Sequence, residues 1–179
     1  MCGIIIFQLI TPFIFNKLGP SLAGVVGLNL NITNAIIVIS TSFISASIPM
    51  LSKFAEEGKH NKVFNNFWEL SKKSLIFGIA LLTIGFLFSL KLHTNFPNIF
   101  LNPSITFLIA ANSICHIYIY NCAAYFRTYK KEPIIIQSVI SAILHLFIYL
   151  NINFLTLEKT FLLMLTINFI ILSIINQNL

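Results

Sequence analysis

The chain has 179 residues, of which 57% are hydrophobic and 9% charged, and its mean hydropathy is +0.89. Soluble domains carry roughly 25% charged residues, so this much apolar surface cannot be hidden in one water-soluble core, and composition predicts an integral membrane protein. The net charge of +6 is spread over short gaps between apolar runs, not gathered on a basic domain, which argues against nucleic acid and for the lipid bilayer as partner.

In chain order the apolar runs predict six spans, at residues 1–16, 22–50, 74–90, 104–126, 134–153 and 160–175, forming one all-α transmembrane bundle over 1–179. The first is short for a crossing of about 20 residues, and Thr11-Pro12 predicts a kink within it. Gly19-Pro20 breaks the chain before the second span. On that span Asn31, Asn34, Thr41, Ser45 and Pro49 fall near one face, with Val38 interrupting them. Ordinary helix packing, with Ser and Thr bonded back to their own carbonyls, accounts for most of such a face.

Residues 53–73 form the longest polar gap. Val63, Phe64, Phe67, Trp68 and Leu70, set among lysines and glutamates, predict an amphipathic cytoplasmic connector lying in the headgroup region, with a plain solvated connector as the alternative.

The fourth span lies in a stretch without charge between Lys91 and Arg127. On it Asn112, His116, Tyr120, Ala123 and Arg127 recur every three or four residues and so share a helix face. Pro133 suits the first turn of the fifth span, where Gln137, Ser141, His145 and Tyr149 repeat every four residues. Glu158 and Lys159 lead into the last span, whose only strongly polar side chain is Asn168.

Cation placement predicts orientation. Lys53, Lys59, Lys62, Lys72 and Lys73 follow span two, and Arg127, Lys130 and Lys131 follow span four, whereas the opposite gaps hold only Lys17, Lys91 and Lys159. The basic side is cytoplasmic by the positive-inside rule, which puts both termini of a six-span chain there.

Polar side chains at mid-membrane depth must face protein or a water-filled cavity. The substrate-cavity candidates are therefore Asn34, Asn112, His116, Tyr120, Arg127, Gln137, Ser141 and His145. His116 and His145 are the sharpest, on consecutive spans and with an ordinary pKa that suits a proton-coupled step, against which stands a neutral imidazole bonded to a neighbouring hydroxyl in ordinary helix packing. Arg127 has the fork that receives a phosphate bidentately, although Arg127, Lys130 and Lys131 also serve simply to fix topology. No phosphate loop, metal motif or cofactor-binding motif occurs. The acids lie at or beyond span ends, so the chain reads as a carrier, not an enzyme. Cys2, Cys115 and Cys122 read as small buried hydrophobes.

Three motifs occur in order: Leu18-Gly19-Pro20-Ser21-Leu22-Ala23-Gly24, Ile48-Pro49-Met50-Leu51-Ser52 and Arg127-Thr128-Tyr129-Lys130-Lys131-Glu132-Pro133. With these intervals the chain resembles the carboxy-terminal half of bacterial polysaccharide (O-antigen or capsule) flippases of the multidrug/oligosaccharidyl-lipid/polysaccharide exporter superfamily. The resemblance implies two six-helix halves in the inner membrane that pass an undecaprenyl-linked oligosaccharide by alternating access. It also implies a cationic cavity for the pyrophosphate-sugar head group, and Arg127 alone among the candidates falls in a family motif. One half is present here, so the resemblance implies a fragment, or a bundle that works with a missing amino-terminal half, a second copy or a partner membrane subunit. The alternatives are half of a drug or organic-cation antiporter of that superfamily, against which stands the lack of intramembrane acids, and a membrane enzyme or scaffold of polysaccharide assembly.

Overall fold

The computed structural model describes residues 9–96, 101–129, 134–152 and 155–177. Every regular element among them is helical: α1 (Ile10–Leu18), α2 (Pro20–Ser45), α3 (Ile48–Glu56), α4 (His60–Asn95), α5 (Pro103–Thr128), α6 (Ile134–Leu150) and α7 (Leu157–Gln177). The α2–α3 unit, α4, α5 and α7 are each long and apolar enough to cross a membrane, and α6 is a shorter apolar helix. The chain is an all-α polytopic bundle.

The breaks follow backbone chemistry. Gly19 takes φ +98°, open to glycine without strain, and Pro20 then starts α2 at a position where no amide is needed. The second span therefore begins two residues earlier than expected. It is interrupted at Ala46–Ser47, because Pro49 has no amide for the carbonyl four residues back. Thr11-Pro12 lies in the first turn of α1 as described, where a missing amide is harmless. Residues 1–8, with Cys2, lie outside the described residues, as do Lys130, Lys131, Glu132 and Pro133.

One expected boundary is corrected. The amphipathic connector expected at 53–73 is not set apart from the third span expected at 74–90. It divides between α3, a turn at Gly58 with φ +71°, and the first turns of α4. No glycine or proline falls between His60 and Phe77, so nothing stops the helix where the polar gap ends. The polar part of α4 has the expected surface character. Lys73 pairs with Glu69 at 2.6 Å, and the Lys72 ammonium sits 5.4 Å from the Trp68 ring centroid. Just before it, the hydrogen bond from Lys59 holds the Glu57 carboxyl below its ordinary range.

α5 is the hub. It packs on α7, α4, α2 and α3, whereas α6 rests mainly on α7, with slight contact to α1. The Lys17 ammonium donates to the Leu150 carbonyl and caps the end of α6. Where α2, α4 and α5 meet, the contact surface is made of small residues. Ser74 Oγ donates to the Ser40 carbonyl at 2.7 Å, and Asn121 Nδ2 donates to Ser71 Oγ at 3.3 Å. A Cβ on Gly78 would stand 2.6 Å from Ile117 Cδ1 and 3.1 Å from Ser40 Oγ. Between helices without a hydrophobic driving force, such close approach supplies the attraction.

Gly78→Leu should lower the melting midpoint of the detergent-solubilised protein strongly, by overpacking worth about 1–3 kcal/mol. Gly78→Ala should do so mildly, because helix propensity offsets part of the clash. Ile117→Val removes the clashing Cδ1 and should recover most of the Gly78→Ala loss. Gly85→Ala, whose Cβ would meet only Ile36 Cδ1 at 3.8 Å, should be tolerated. Equal effects at Gly78 and Gly85 would sink this account of the junction.

Candidate functional site: a buried amide and imidazole seam

Asn112 lies on the side of α5 that meets α7 and is 5% exposed. Its Nδ2 donates to the Leu108 carbonyl at 2.9 Å and to the Phe161 carbonyl of α7 at 3.0 Å. Its Oδ1 accepts from Asn168 Nδ2 at 2.9 Å. Asn168, 1% exposed, also sets Nδ2 at 3.4 Å from His116 Nε2. An amide nitrogen only donates, so His116 Nε2 accepts and the ring is neutral with its proton on Nδ1. One asparagine of α7 thus ties together two polar side chains one turn apart on α5.

His145 is 0% exposed on α6. Its Nδ1 lies 2.8 Å from the Ser141 carbonyl, which can only accept, so Nδ1 carries the proton and Nε2 is a bare acceptor. Ser141 Oγ lies 3.3 Å from the same nitrogen. Three acceptors are left buried without a hydrogen-bond partner among the described residues: His145 Nε2, Asn168 Oδ1 and Gln137 Oε1. A lone acceptor out of water typically costs about 1–3 kcal/mol, which a donor entering the seam would recover.

Asn112 and His116 are brought together as expected, and Ser141 and His145 share one turn of α6. His145 lies close enough to His116 for the two rings to interact electrostatically, although α7 is the main neighbour of both α5 and α6. The eight candidates do not form one lumen. Tyr120 is exposed and reaches Ser45 Oγ of α2 at 3.1 Å, away from α7. A four-residue repeat drifts about 40° per step on a helix of 3.6 residues per turn, which carries the stripe off the seam. Arg127 is exposed at the end of α5, and Asn34 is half-buried on α2. Two clefts of about 600 and 530 Å³ contain none of the eight. Cys115 and Cys122 are buried free thiols.

Asn168 and Asn121 were not among the candidates. Asn168 stood alone on its span, and a single residue makes no stripe. Asn121 lies one residue off the four-residue repeat of α5, and its partners Ser71 and Ser74 lie in and just after the expected connector. In both cases the available signal was an asparagine inside an uncharged run.

Replacing Asn112 or Asn168 by Leu should lower the melting midpoint, each by about 1 kcal/mol. The double variant should fall short of the sum by a coupling energy of the same order, whereas Asn31→Leu on the exposed side of α2 should be neutral. Additive losses at Asn112 and Asn168 would mean the seam carries no energy between helices.

Comparison with protein-family models, with curated proteins and with solved structures finds no match. The likeness to polysaccharide flippases accordingly rests on its three short motifs.

Proposed function

We propose that this chain is one bundle of an inner-membrane transporter that moves an undecaprenyl-linked oligosaccharide, with both termini cytoplasmic. The observation that carries the reading is the seam of Asn112, His116 and Asn168 inside helices apolar enough to cross a membrane. Polar groups at that depth are costly and belong to pathways by default. The seam is neutral. The buried side-chain atoms without a partner among the described residues, Asn168 Oδ1 in the seam and His145 Nε2 and Gln137 Oε1 on α6, are all acceptors. Such a set suits hydroxyl donors of a saccharide, and it lacks the carboxylate that an organic cation needs.

The cationic end supports the same substrate. Arg127 is exposed where α5 ends, on the side of the bundle that also carries Lys53, Lys59 and Lys62 around the α3–α4 turn. A pyrophosphate head group would meet guanidinium and ammonium groups there before its sugars reach the seam. Alternating access needs a second bundle to rock against, which a preceding half, a second copy or a separate subunit would supply.

The test is recovery of surface polysaccharide in a flippase-deficient host that supplies the amino-terminal half of a flippase. The unmodified chain should restore it. Asn168→Ala, His145→Ala and Arg127→Ala should each reduce it about tenfold or more, the equivalent of 1.4 kcal/mol, at equal membrane abundance. Full activity of the triple variant would remove the seam from transport. Absence of rescue by the unmodified chain in every such host would remove the saccharide reading.

A further inference from the structure

A cleft of about 600 Å³ opens between α4, α5 and α7, away from the seam. Its walls are Phe86 of α4, Phe107 and Leu108 of α5 and Leu162 of α7. Phe86 and Phe107 meet edge to face with centroids 6.0 Å apart, which fixes one wall. Phe107 and Leu162 are more than half exposed.

Polarity in the cleft is graded along the helix axes. Ser104, Glu158 and Lys159 stand in the first turns of α5 and α7, at one end of the bundle, while Phe107, Leu108 and Leu162 lie about one turn deeper. Glu158 and Lys159 are exposed, and among the described residues neither forms an ion pair. Lys17 and Lys91 are the other cations placed toward this end, which carries fewer cations than the opposite one.

We propose that this cleft binds a phospholipid whose zwitterionic head group bears a primary amine. The acyl chain lies against Phe107, Leu108 and Leu162, the phosphate meets Lys159, and the ammonium meets Glu158. One cation beside one anion at the mouth of an apolar slot matches the charge order of that head group. A purely anionic lipid would meet Glu158 unfavourably. A quaternary ammonium would lack the N–H donors that a carboxylate accepts. The assignment is independent of which substrate, if any, passes through the seam.

The test is native mass spectrometry of the purified full chain, delipidated in detergent and then given phosphatidylethanolamine, phosphatidylglycerol or phosphatidylcholine. Phosphatidylethanolamine should be retained about two- to fivefold better than the other two, the range an exposed charge pair supports. Glu158→Gln should abolish that preference while leaving phosphatidylglycerol binding equal or improved. Lys159→Gln should weaken retention of all three, and both sites are exposed enough that folding is spared. Equal retention of the three lipids by the unmodified chain would overturn the proposal, as would unchanged retention in the Glu158→Gln/Lys159→Gln protein. A dimer that lipid displaces and Leu162→Glu breaks would assign the cleft to a second copy and overturn it too.

Discussion

In a bundle this apolar, a side-chain amide has to find its hydrogen-bond partners within the protein, and the Asn112–Asn168 pair meets that demand across helices. Asn112 alone engages its own helix, the Phe161 carbonyl and Asn168. Lipid on either side of α7 would offer no replacement for these bonds. The pair therefore fixes the rotation of α7 against α5. It thereby determines that His116 is within reach of Asn168, and that Asn168 Oδ1 is held inside without a donor among the described residues.

The other side of α5 is built on a different principle. Toward α2 and α4, attraction comes from closeness: Gly78 leaves room for Ile117 and Ser40, and Ser71, Ser74 and Asn121 satisfy one another in the narrow space. One helix thus joins a hydrogen-bonded face to a close-packed face. That explains why α5 buries the largest share of its apolar window among the long helices. A helix covered on several sides has no single lipid face.

α6 has the opposite character. It leans on α7, is tied at its end by Lys17, and presents Ile136, Ile143 and Phe147 outward. Yet its inner side holds His145 and Gln137, each with a buried acceptor lacking a donor among the described residues.

What the sequence determined by itself was whatever local chemistry dictates. The membrane class follows from the length of the apolar runs, and the break at Gly19-Pro20 from backbone stereochemistry. Helical spacing also brought Asn112 to His116 and Ser141 to His145, because a turn of helix fixes those distances wherever the helix goes. Continuity of α4 through Lys73 was obscured because polarity changes there without any residue that stops a helix. The tertiary structure alone decided that α7 is the shared neighbour of the two histidine-bearing helices, making Asn168 the centre and leaving Tyr120, Arg127 and Asn34 apart. Helix order in a membrane is set by close packing and by bonds between helices, and these depend on pairs of residues distant in the chain, which no periodicity along one helix records.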